Sequence, residues 1–498
     1  MEKFRKRNLL LLLVFSILSF AVMGYHPGAE DDIVYLTAVK ADLNPALYPH
    51  DAEFFKPQLQ TSVFDNWMAG FVRVSHLSVA SSEFLWQFLS VYGILLACWV
   101  ILCELFQEET ARWAGIALFG AMLTLPVAGT GLYLVDQYLH PRNPATALIL
   151  FAVHRIMVGK RWQAVPLLVV AFVLHPLMGA FGISFCCVLT LTLIGSLRVR
   201  IREWITRPVP EASLPVLLFI PFGWVFGSPS QIWIEALRTR HLYFLYQWEW
   251  YEWLGAIAPL IIFWLLARFA RRRGETTLAN LATAIFVYGV FQQIIAMVIL
   301  SPFVPIGLTT LEPMRFLHII YMFLVLIGGA YLGKYLLQRR VWRWAVFLCI
   351  ANGSMFCVQR QLFADTPPIE FPGQHTGNPW LQAFRWIRNN TPQDAFFAVD
   401  PHYMTTPGED WHSFRALAER SVLADAYKDT ATVTKMPQLA STWQRQVDAQ
   451  AGWPHFQLAN FERLKSQFGV TWVLVHYPQS AGLDCRWHND QLTVCRIP

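Results

Sequence analysis

The chain has 498 residues, of which 55% are hydrophobic and only 14% are charged, and its mean hydropathy is +0.38. Soluble proteins carry about 25% charged residues, so this composition excludes an ordinary soluble protein and predicts a polytopic membrane protein. The net charge of +6 does not indicate nucleic-acid binding. The basic residues gather in short clusters between apolar stretches, as they do in the cytoplasmic loops of membrane proteins.

A membrane-spanning helix needs about 20 mostly apolar residues. Eleven stretches are candidates: 8–24, 84–105, 112–128, 144–158, 163–174, 176–197, 213–227, 254–270, 279–300, 315–337 and 343–357. Only His175–Pro176 separates 163–174 from 176–197, so these two are half-length helices or one kinked helix. If the helices alternate, the basic clusters fall on one side. The N-terminus is then cytoplasmic and the C-terminus is outside. Alternatively residues 1–24 are a cleaved signal peptide, although "SFAVMG" is a poor cleavage site.

The first predicted outer loop, residues 25–83, begins with three consecutive acids, Glu30, Asp31 and Asp32. Carboxylates are costly close to hydrocarbon, and those that are kept there usually have a function. Apolar residues at helical spacing follow them and predict a helix from about 32 to 43 that lies along the membrane surface. Capping of that helix by Asp31 or Asp32 is the simpler interpretation.

Basic side chains in the outer loops are candidates for binding a phosphate or an acceptor, because arginine fits phosphate oxygens well. These candidates are Arg73, His140, Arg142, Arg238, Arg240, His241 and Arg315. For Arg142 the alternative is an anchor at the membrane interface, and for Arg315 it is an ion pair with Glu312.

Residues 358–498 contain no spanning stretch, and their helix and strand patterns alternate, which predicts a separate α/β domain with three layers after a transmembrane domain of residues 1–357. Its last segment, "DCRWHNDQLTVCRI", predicts a hairpin in which Cys485 and Cys495 form a disulfide or remain two free thiols. Arg415, Arg420 and Lys428 either hold donor or acceptor, or form ion pairs on a solvated helix.

The order of these features resembles the GT-C class of membrane glycosyltransferases. The resemblance rests on a first spanning helix, an acidic pair opening a long outer loop, about ten more spans and an outer C-terminal α/β domain. "EDDIVYL", "LNPALYPHDAEFF", "FRALAER" and "LEPMRFLHIIY" also resemble a family of uncharacterised bacterial membrane proteins related to that class. The resemblance implies a polyprenyl-phosphate-linked sugar as donor and a site at the acidic motif. The W-W-D motif of oligosaccharyltransferases is missing from the sequence, which weakens a protein-glycosylating role.

Sugar transfer from a lipid phosphate needs a carboxylate to take the acceptor's proton, and cations or a metal ion to stabilise the leaving phosphate. We therefore expect Asp31 or Asp32 as the base, Glu30 beside it, and a divalent cation such as Mg²⁺ or Mn²⁺ as a possible cofactor. The expected protein is a glycosyltransferase on the outer face of a bacterial inner membrane, with the bilayer, the lipid-linked sugar and a lipid or glycan acceptor as partners. The alternatives are a transporter or flippase for a lipid-linked saccharide, and a non-catalytic scaffold of envelope polysaccharide assembly.

Overall fold

The computed structural model of the protein describes residues 4–194, 229–406, 410–478 and 482–498. Seven helices in these ranges are long and apolar enough to cross a membrane. They are Lys6–Met23, Val79–Leu105, Pro176–Leu193, Trp250–Arg272, Thr276–Ile299, Ile306–Leu337 and Val341–Leu362. The chain is therefore an α-helical polytopic membrane protein, as its composition predicts.

Three shorter helices complete the bundle at the positions of three of the predicted spans. They are Glu109–Ala121, Arg142–Met157 and Arg161–Leu174. The first has 13 residues, and at about 1.5 Å per residue it is shorter than a hydrocarbon core of about 30 Å. The predicted span 112–128 is wrong beyond Ala121, because Pro126–Val127 pairs with Leu132–Tyr133 in a small antiparallel hairpin. The predicted span 213–227 lies outside the described residues.

The break at His175–Pro176 is a tight helical hairpin. The His175 side chain accepts a hydrogen bond from the Met178 N–H at 3.3 Å and so caps the second helix. A Cβ on Gly179 would lie 2.3 Å from Cα of Phe172, so the two helices fold back and touch at this glycine. One kinked helix would keep these residues about 10 Å apart, given its rise of 1.5 Å per residue.

Three helices form the first loop: Asp32–Leu43, Lys56–Leu59 and Phe64–Ser75. The first lies where the sequence predicts it, but it does not have one face free for the membrane surface. It packs between Phe64–Ser75 and the C-terminal helix Phe414–Ala418, and the Lys40 ammonium donates to the Ala416 carbonyl at 2.8 Å. This helix therefore connects the bundle to the C-terminal region.

The C-terminal region is a three-layered α/β structure, as predicted. A five-stranded sheet has the order Ser421–Val422, Phe396–Val399, Trp472–His476, Leu492–Arg496 and Asp484–His488. The first three strands are parallel and the last two are antiparallel to their neighbours. Alternate strand residues face opposite sides. Phe397 packs with Phe384 of helix Pro379–Asn390, and Phe396 packs with Leu464 of helix Leu458–Phe468.

Smaller elements complete this region and its contact with the bundle. The remaining helices of four or more residues outside the bundle are Gln231–Arg238, Asp429–Lys435 and Ala440–Ala449. Cys485 and Cys495 lie opposite each other on the last two strands and are joined by a disulfide. The last membrane helix, Val341–Leu362, runs a few residues past the predicted domain boundary at residue 357.

Candidate functional site

A cavity of about 500 Å³ lies where the loops at one end of the helix bundle meet the C-terminal region. Its walls come from residues 30–31, 126–142, 239–252, 315, 362–363 and 411–428. At the other end of the bundle, Lys334 pairs with Glu108 at 3.3 Å and with Glu275 at 3.1 Å. The structure thus separates the two sets of loops, as the alternation of spans requires.

The three acids of the first loop form a turn directly before helix Asp32–Leu43. Glu30 has φ of +53°, a left-handed conformation that few residues other than glycine adopt. Its N–H donates to the Trp411 carbonyl at 3.1 Å, and the Asp31 N–H donates to the Tyr138 hydroxyl at 3.3 Å. Contacts from both the bundle and the C-terminal region therefore hold this strained turn, and strain of this kind is concentrated at functional sites.

Asp31 and Asp32 are neighbours in sequence, but they lie in different surroundings. Asp32 is fully buried, and its Oδ2 accepts the Gly28 N–H at 2.7 Å. Burial raises the pKa of Asp32 to about 7. The Asp31 side chain is 37% exposed and lines the cavity. Asp32 is thus a buried structural acid, whereas Asp31 can reach a ligand.

Lys428 joins the acidic turn to the C-terminal region. Its ammonium forms an ion pair with Glu30 and lies 3.1 Å from Asp31 Oδ1, while its own side chain is only 4% exposed. Burial raises the pKa of Asp31, but the charges of Lys428, His140, Arg240 and Arg315 lower it more, so it ends far below its ordinary value. Asp31 is therefore ionised at any physiological pH.

Three arginines surround the same cavity, and each has one carboxylate or aromatic neighbour. Arg142 Nε donates to Asp136 Oδ2 at 3.0 Å, Arg315 Nη1 lies 2.7 Å from Glu312 Oε2, and the Arg240 guanidinium lies 5.7 Å from the centre of the Tyr427 ring.

Each of these arginines also has a buried nitrogen that bonds to no other described residue. These atoms are Arg142 Nη1, Arg240 Nε and Arg315 Nε. A buried polar group without a partner costs about 1–3 kcal/mol. Three arginines that line one cavity favour a ligand that carries several acceptor oxygens and negative charge.

Most of the predicted site residues lie at this cavity, although nearly 400 positions separate the first from the last. Those that line it are Glu30, Asp31, Arg142, Arg240, His241, Arg315 and Lys428. His140 lies behind the wall, where its Nδ1 accepts the Arg142 N–H at 3.0 Å. The site therefore joins the acids of the first loop to cations from four later segments of the chain.

Arg415 and Arg420 are buried elsewhere, and their contacts do not agree with the predicted binding of donor or acceptor. Arg415 Nε lies 2.6 Å from Asp51, and its two terminal nitrogens bond to Asp429 at 3.0 and 3.2 Å. Arg420 donates to the carbonyl of Thr391 at 2.8 Å. A buried guanidinium must pair its donors, and here protein groups fill that need. Arg415 therefore joins the first loop to the C-terminal region, and Arg420 connects two segments within that region.

Two more predicted residues lie outside the cavity, on the surface of the molecule. The Arg73 side chain is 53% exposed and pairs with Asp42 at 3.4 Å. Arg238 ends helix Gln231–Arg238 and is exposed, whereas Arg240, two residues later, lines the cavity. Arg238 is therefore a natural control for Arg240.

Sequence reasoning missed the aromatic wall and two of the acids that line the cavity, one of which is Glu252. Tyr133, Trp411 and Tyr427 line the cavity, and the rings of Trp411 and Tyr427 meet edge to face at 5.8 Å. Asp136, the partner of Arg142, was also missed. The segment "VDQYLHPR" contained a signal for it, because a buried arginine in a membrane protein needs a nearby acid.

The cavity's carboxylates fit a divalent cation poorly. Lys428 pairs with Glu30 and Asp31, Arg142 pairs with Asp136, and His241 lies 3.3 Å from Glu252. A Mg²⁺ or Mn²⁺ ion, which prefers several free oxygen ligands, would have to displace one of these cations. The divalent cation stays a prediction.

Comparison with known proteins gives limited matches. Residues 378–449, in the C-terminal region, match the model of a domain of unknown function, DUF6798. No curated protein matches the chain. Among solved structures, the archaeal oligosaccharyltransferase AglB from Archaeoglobus fulgidus, in complex with an inhibitory peptide and a dolichol-phosphate, is similar at 10% identity and a TM-score of 0.37. The match covers 95% of this chain and 70% of that one, but at this TM-score no residue of one chain can be equated with a residue of the other.

Proposed function

We propose that the protein is a membrane glycosyltransferase that moves a sugar from a polyprenyl-phosphate donor to a hydroxyl group of a lipid or glycan. The proposal rests on the presence of several arginines and an ionised carboxylate in the same cavity. Three arginines, Arg142, Arg240 and Arg315, line the cavity, and the ionised carboxylate of Asp31 opens into it. Transfer of a phosphate-linked sugar needs cations to stabilise the anionic leaving group, and it needs a carboxylate to take the proton that the acceptor hydroxyl loses.

In the proposed step, an acceptor hydroxyl oxygen bonds to the anomeric carbon while the bond from that carbon to the phosphate oxygen breaks. The bonding electrons leave with the phosphate, whose oxygens accept hydrogen bonds from Arg142, Arg240 and Arg315. The hydroxyl proton passes to the Asp31 carboxylate. The nearby rings of Trp411 and Tyr427 are positioned to pack against the sugar.

Asp31 is a weak base in the free protein, because the cations around it hold its pKa far below the ordinary value. A bound phosphate brings negative charge to the same cations and raises the pKa of Asp31. The base is thus strengthened by the donor itself. Asp32 has a pKa better suited to a base, but its position excludes it: Asp32 is fully buried, whereas a base must reach the proton it removes.

The proposed location is the outer face of a bacterial inner membrane. The basic clusters "ARFARRRGE" and "GKYLLQRRVWR" lie at the end of the bundle opposite the cavity, which the positive-inside rule assigns to the cytoplasm. A lipid carrier keeps its phosphate at the bilayer surface. A site built from loops directly beyond the spans meets the phosphate at that depth.

Binding can be measured with full-length protein in nanodiscs and a polyprenyl phosphate as the probe. We expect Arg240→Ala to weaken binding at least tenfold, since it removes a charged hydrogen-bond donor, and Arg238→Ala to leave binding within twofold. Equal effects of the two variants, or no binding by the native protein, would contradict the assignment of the cavity.

Transfer is tested separately in a strain that lacks the gene, by identifying the lipid-linked glycan that accumulates. We expect the native gene to clear this glycan, and Asp31→Asn to restore normal protein levels without clearing it. A variant that clears the glycan normally would exclude Asp31 as the base. In that case a transporter or a scaffold would explain the binding better than an enzyme does.

A further inference from the structure

A second cluster of chemically active side chains lies outside the cavity. His26 Nδ1 is 2.8 Å from Glu370 Oε1, and His412 Nε2 is 2.9 Å from the same oxygen. The three side chains are 0%, 9% and 1% exposed, and their candidate ligand atoms all lie within 4.8 Å of one another. Two imidazoles and a carboxylate form a donor set that is typical of zinc sites.

The cluster joins three distant parts of the chain. His26 follows the first membrane helix, Glu370 follows the last one, and His412 belongs to the C-terminal region. Isolated bridges flank it, between Tyr25 and Ile369 and between Ala29 and His412. The backbone at this point is therefore fixed on both sides, which is what a preformed metal site requires.

A neighbouring glutamine supplies an independent observation. Gln359 Nε2 lies 2.8 Å from His26 Nε2, while the other end of the amide, Gln359 Oε1, is buried without a partner among the described residues. If His26 binds a metal through Nδ1, its single proton moves to Nε2. Rotation of the amide then brings Gln359 Oε1 to accept that N–H. Metal-bound histidines commonly donate their second N–H to such an oxygen, so Gln359 is placed to hold His26 in the tautomer that binds metal through Nδ1.

We propose that His26 Nδ1, Glu370 and His412 Nε2 bind a divalent transition-metal ion of the Zn²⁺ type. With metal–ligand bonds of about 2.0–2.2 Å, tetrahedral ligands lie about 3.3 Å apart. The nitrogen–oxygen distances, now 2.8 and 2.9 Å, therefore need to open by about 0.5 Å, and the two nitrogens, which lie within 4.8 Å of each other, need to approach by up to about 1.5 Å. Water completes the coordination. The two imidazoles bind as neutral rings, and any additional proton that they carry is released to solvent.

The site's position gives the ion a structural role. His26 precedes the acidic turn by four residues, and His412 adjoins Trp411, whose carbonyl accepts the Glu30 N–H. A metal ion that joins His26 to His412 would therefore fix Glu30 and Asp31 relative to the C-terminal wall of the cavity. The ion does not take part in the transfer step, so the inference stands or falls separately from the proposed function.

The test uses full-length protein purified in detergent, with any affinity tag removed, stripped by a chelator and titrated with Co²⁺. We expect one equivalent to bind with the visible absorption of four-coordinate Co²⁺, and Zn²⁺ to displace it. Elemental analysis of unstripped protein should give about one metal ion per chain. Zn²⁺ should also raise the thermal midpoint of the stripped protein.

Variants separate this site from accidental binding. His26→Gln and His412→Gln should each lower Co²⁺ affinity at least a hundredfold. His154→Gln should leave it unchanged, because it alters another buried histidine that faces a glutamate, at 3.3 Å. If the native protein binds no stoichiometric metal, or if both variants bind Co²⁺ as the native protein does, the cluster is a hydrogen-bonded network only. The titration of native protein decides this even if a variant fails to fold.

Discussion

Asp31 and Asp32 provide the sharpest test of the proposed mechanism, because the same substitution at adjacent positions should have opposite consequences. Asparagine has nearly the shape of aspartate and removes the charge. In Asp31→Asn the group that faces the cavity loses its ability to take a proton. General-base catalysis contributes about 10²–10⁴-fold to rate, so turnover should fall by that factor.

Asp32→Asn should leave turnover intact and change stability instead. The amide oxygen of the substituted side chain can still accept the Gly28 N–H that Asp32 accepts at 2.7 Å. Burial raises the pKa of Asp32 from 3.8 to about 7, and the folded protein therefore holds this proton more tightly than the unfolded chain does. The raised pKa therefore weakens the folded state at pH values where the unfolded chain is ionised, by an amount on the order of a few kcal/mol.

The sign of this contribution is fixed by the direction of the shift. Below about pH 4 the carboxyl is protonated in both the folded and the unfolded state, and the native protein has its full stability. Between about pH 4 and 7 only the unfolded chain ionises, so the native protein loses stability as the pH rises. Asparagine cannot ionise. The variant should therefore match the native protein near pH 4 and be more stable at pH 8, by an amount on the order of a few kcal/mol.

The assay measures thermal unfolding of detergent-purified protein at several pH values, together with clearance of the accumulated glycan in the deletion strain. Membrane levels checked by blot separate loss of turnover from loss of protein. The proposed roles of the two acids are refuted if Asp31→Asn clears the glycan at the native rate, or if Asp32→Asn loses turnover as severely as Asp31→Asn at equal protein levels.

Three further predictions rest on the contacts around the cavity and on the topology. Lys428→Met leaves Glu30 and Asp31 without their shared cation. Because both carboxylates are partly open to the cavity, the free energy of unfolding should fall by about 2 kcal/mol, less than the 3–5 kcal/mol of a fully buried pair. An unchanged thermal midpoint would contradict this expectation. Arg415→Met leaves the buried carboxylates of Asp51 and Asp429 without their cation and should lower the free energy of unfolding by about 3–5 kcal/mol. Polyprenyl-phosphate binding by the folded fraction should persist. An alkaline phosphatase fused to the C-terminus should be active and a fluorescent protein fused there dark, because the positive-inside rule places that end outside; the reverse result would overturn the orientation.

Much of the architecture could be predicted from the sequence, because hydropathy and residue periodicity are local properties of the chain. Hydropathy placed most of the long helices within a few residues, and the pattern after the acidic run located helix Asp32–Leu43. The helix–strand alternation after the last span predicted the three-layered C-terminal region. Span length was the exception: the stretch 112–128 is apolar enough to continue as helix, but it ends at Ala121 because the following residues pair as a hairpin.

Which residues line the cavity could not be predicted from the sequence alone. The direction of a side chain at a turn is set by partners that lie far away in the sequence. Lys428 lies 398 positions from Glu30, with which it pairs, and no local pattern joins the two. Arg238 and Arg240 look equivalent in "RTRH", yet only Arg240 lines the cavity.

Three acids next to the membrane are evident from the sequence alone, whereas the surroundings of each acid depend on the fold. Contacts from Trp411 and Tyr138 hold the acidic turn so that Asp31 opens to the cavity, while the Gly28 N–H holds Asp32 inside. The physical reason is that burial and charge act through space. Two identical carboxyl groups one residue apart therefore acquire opposite shifts in pKa.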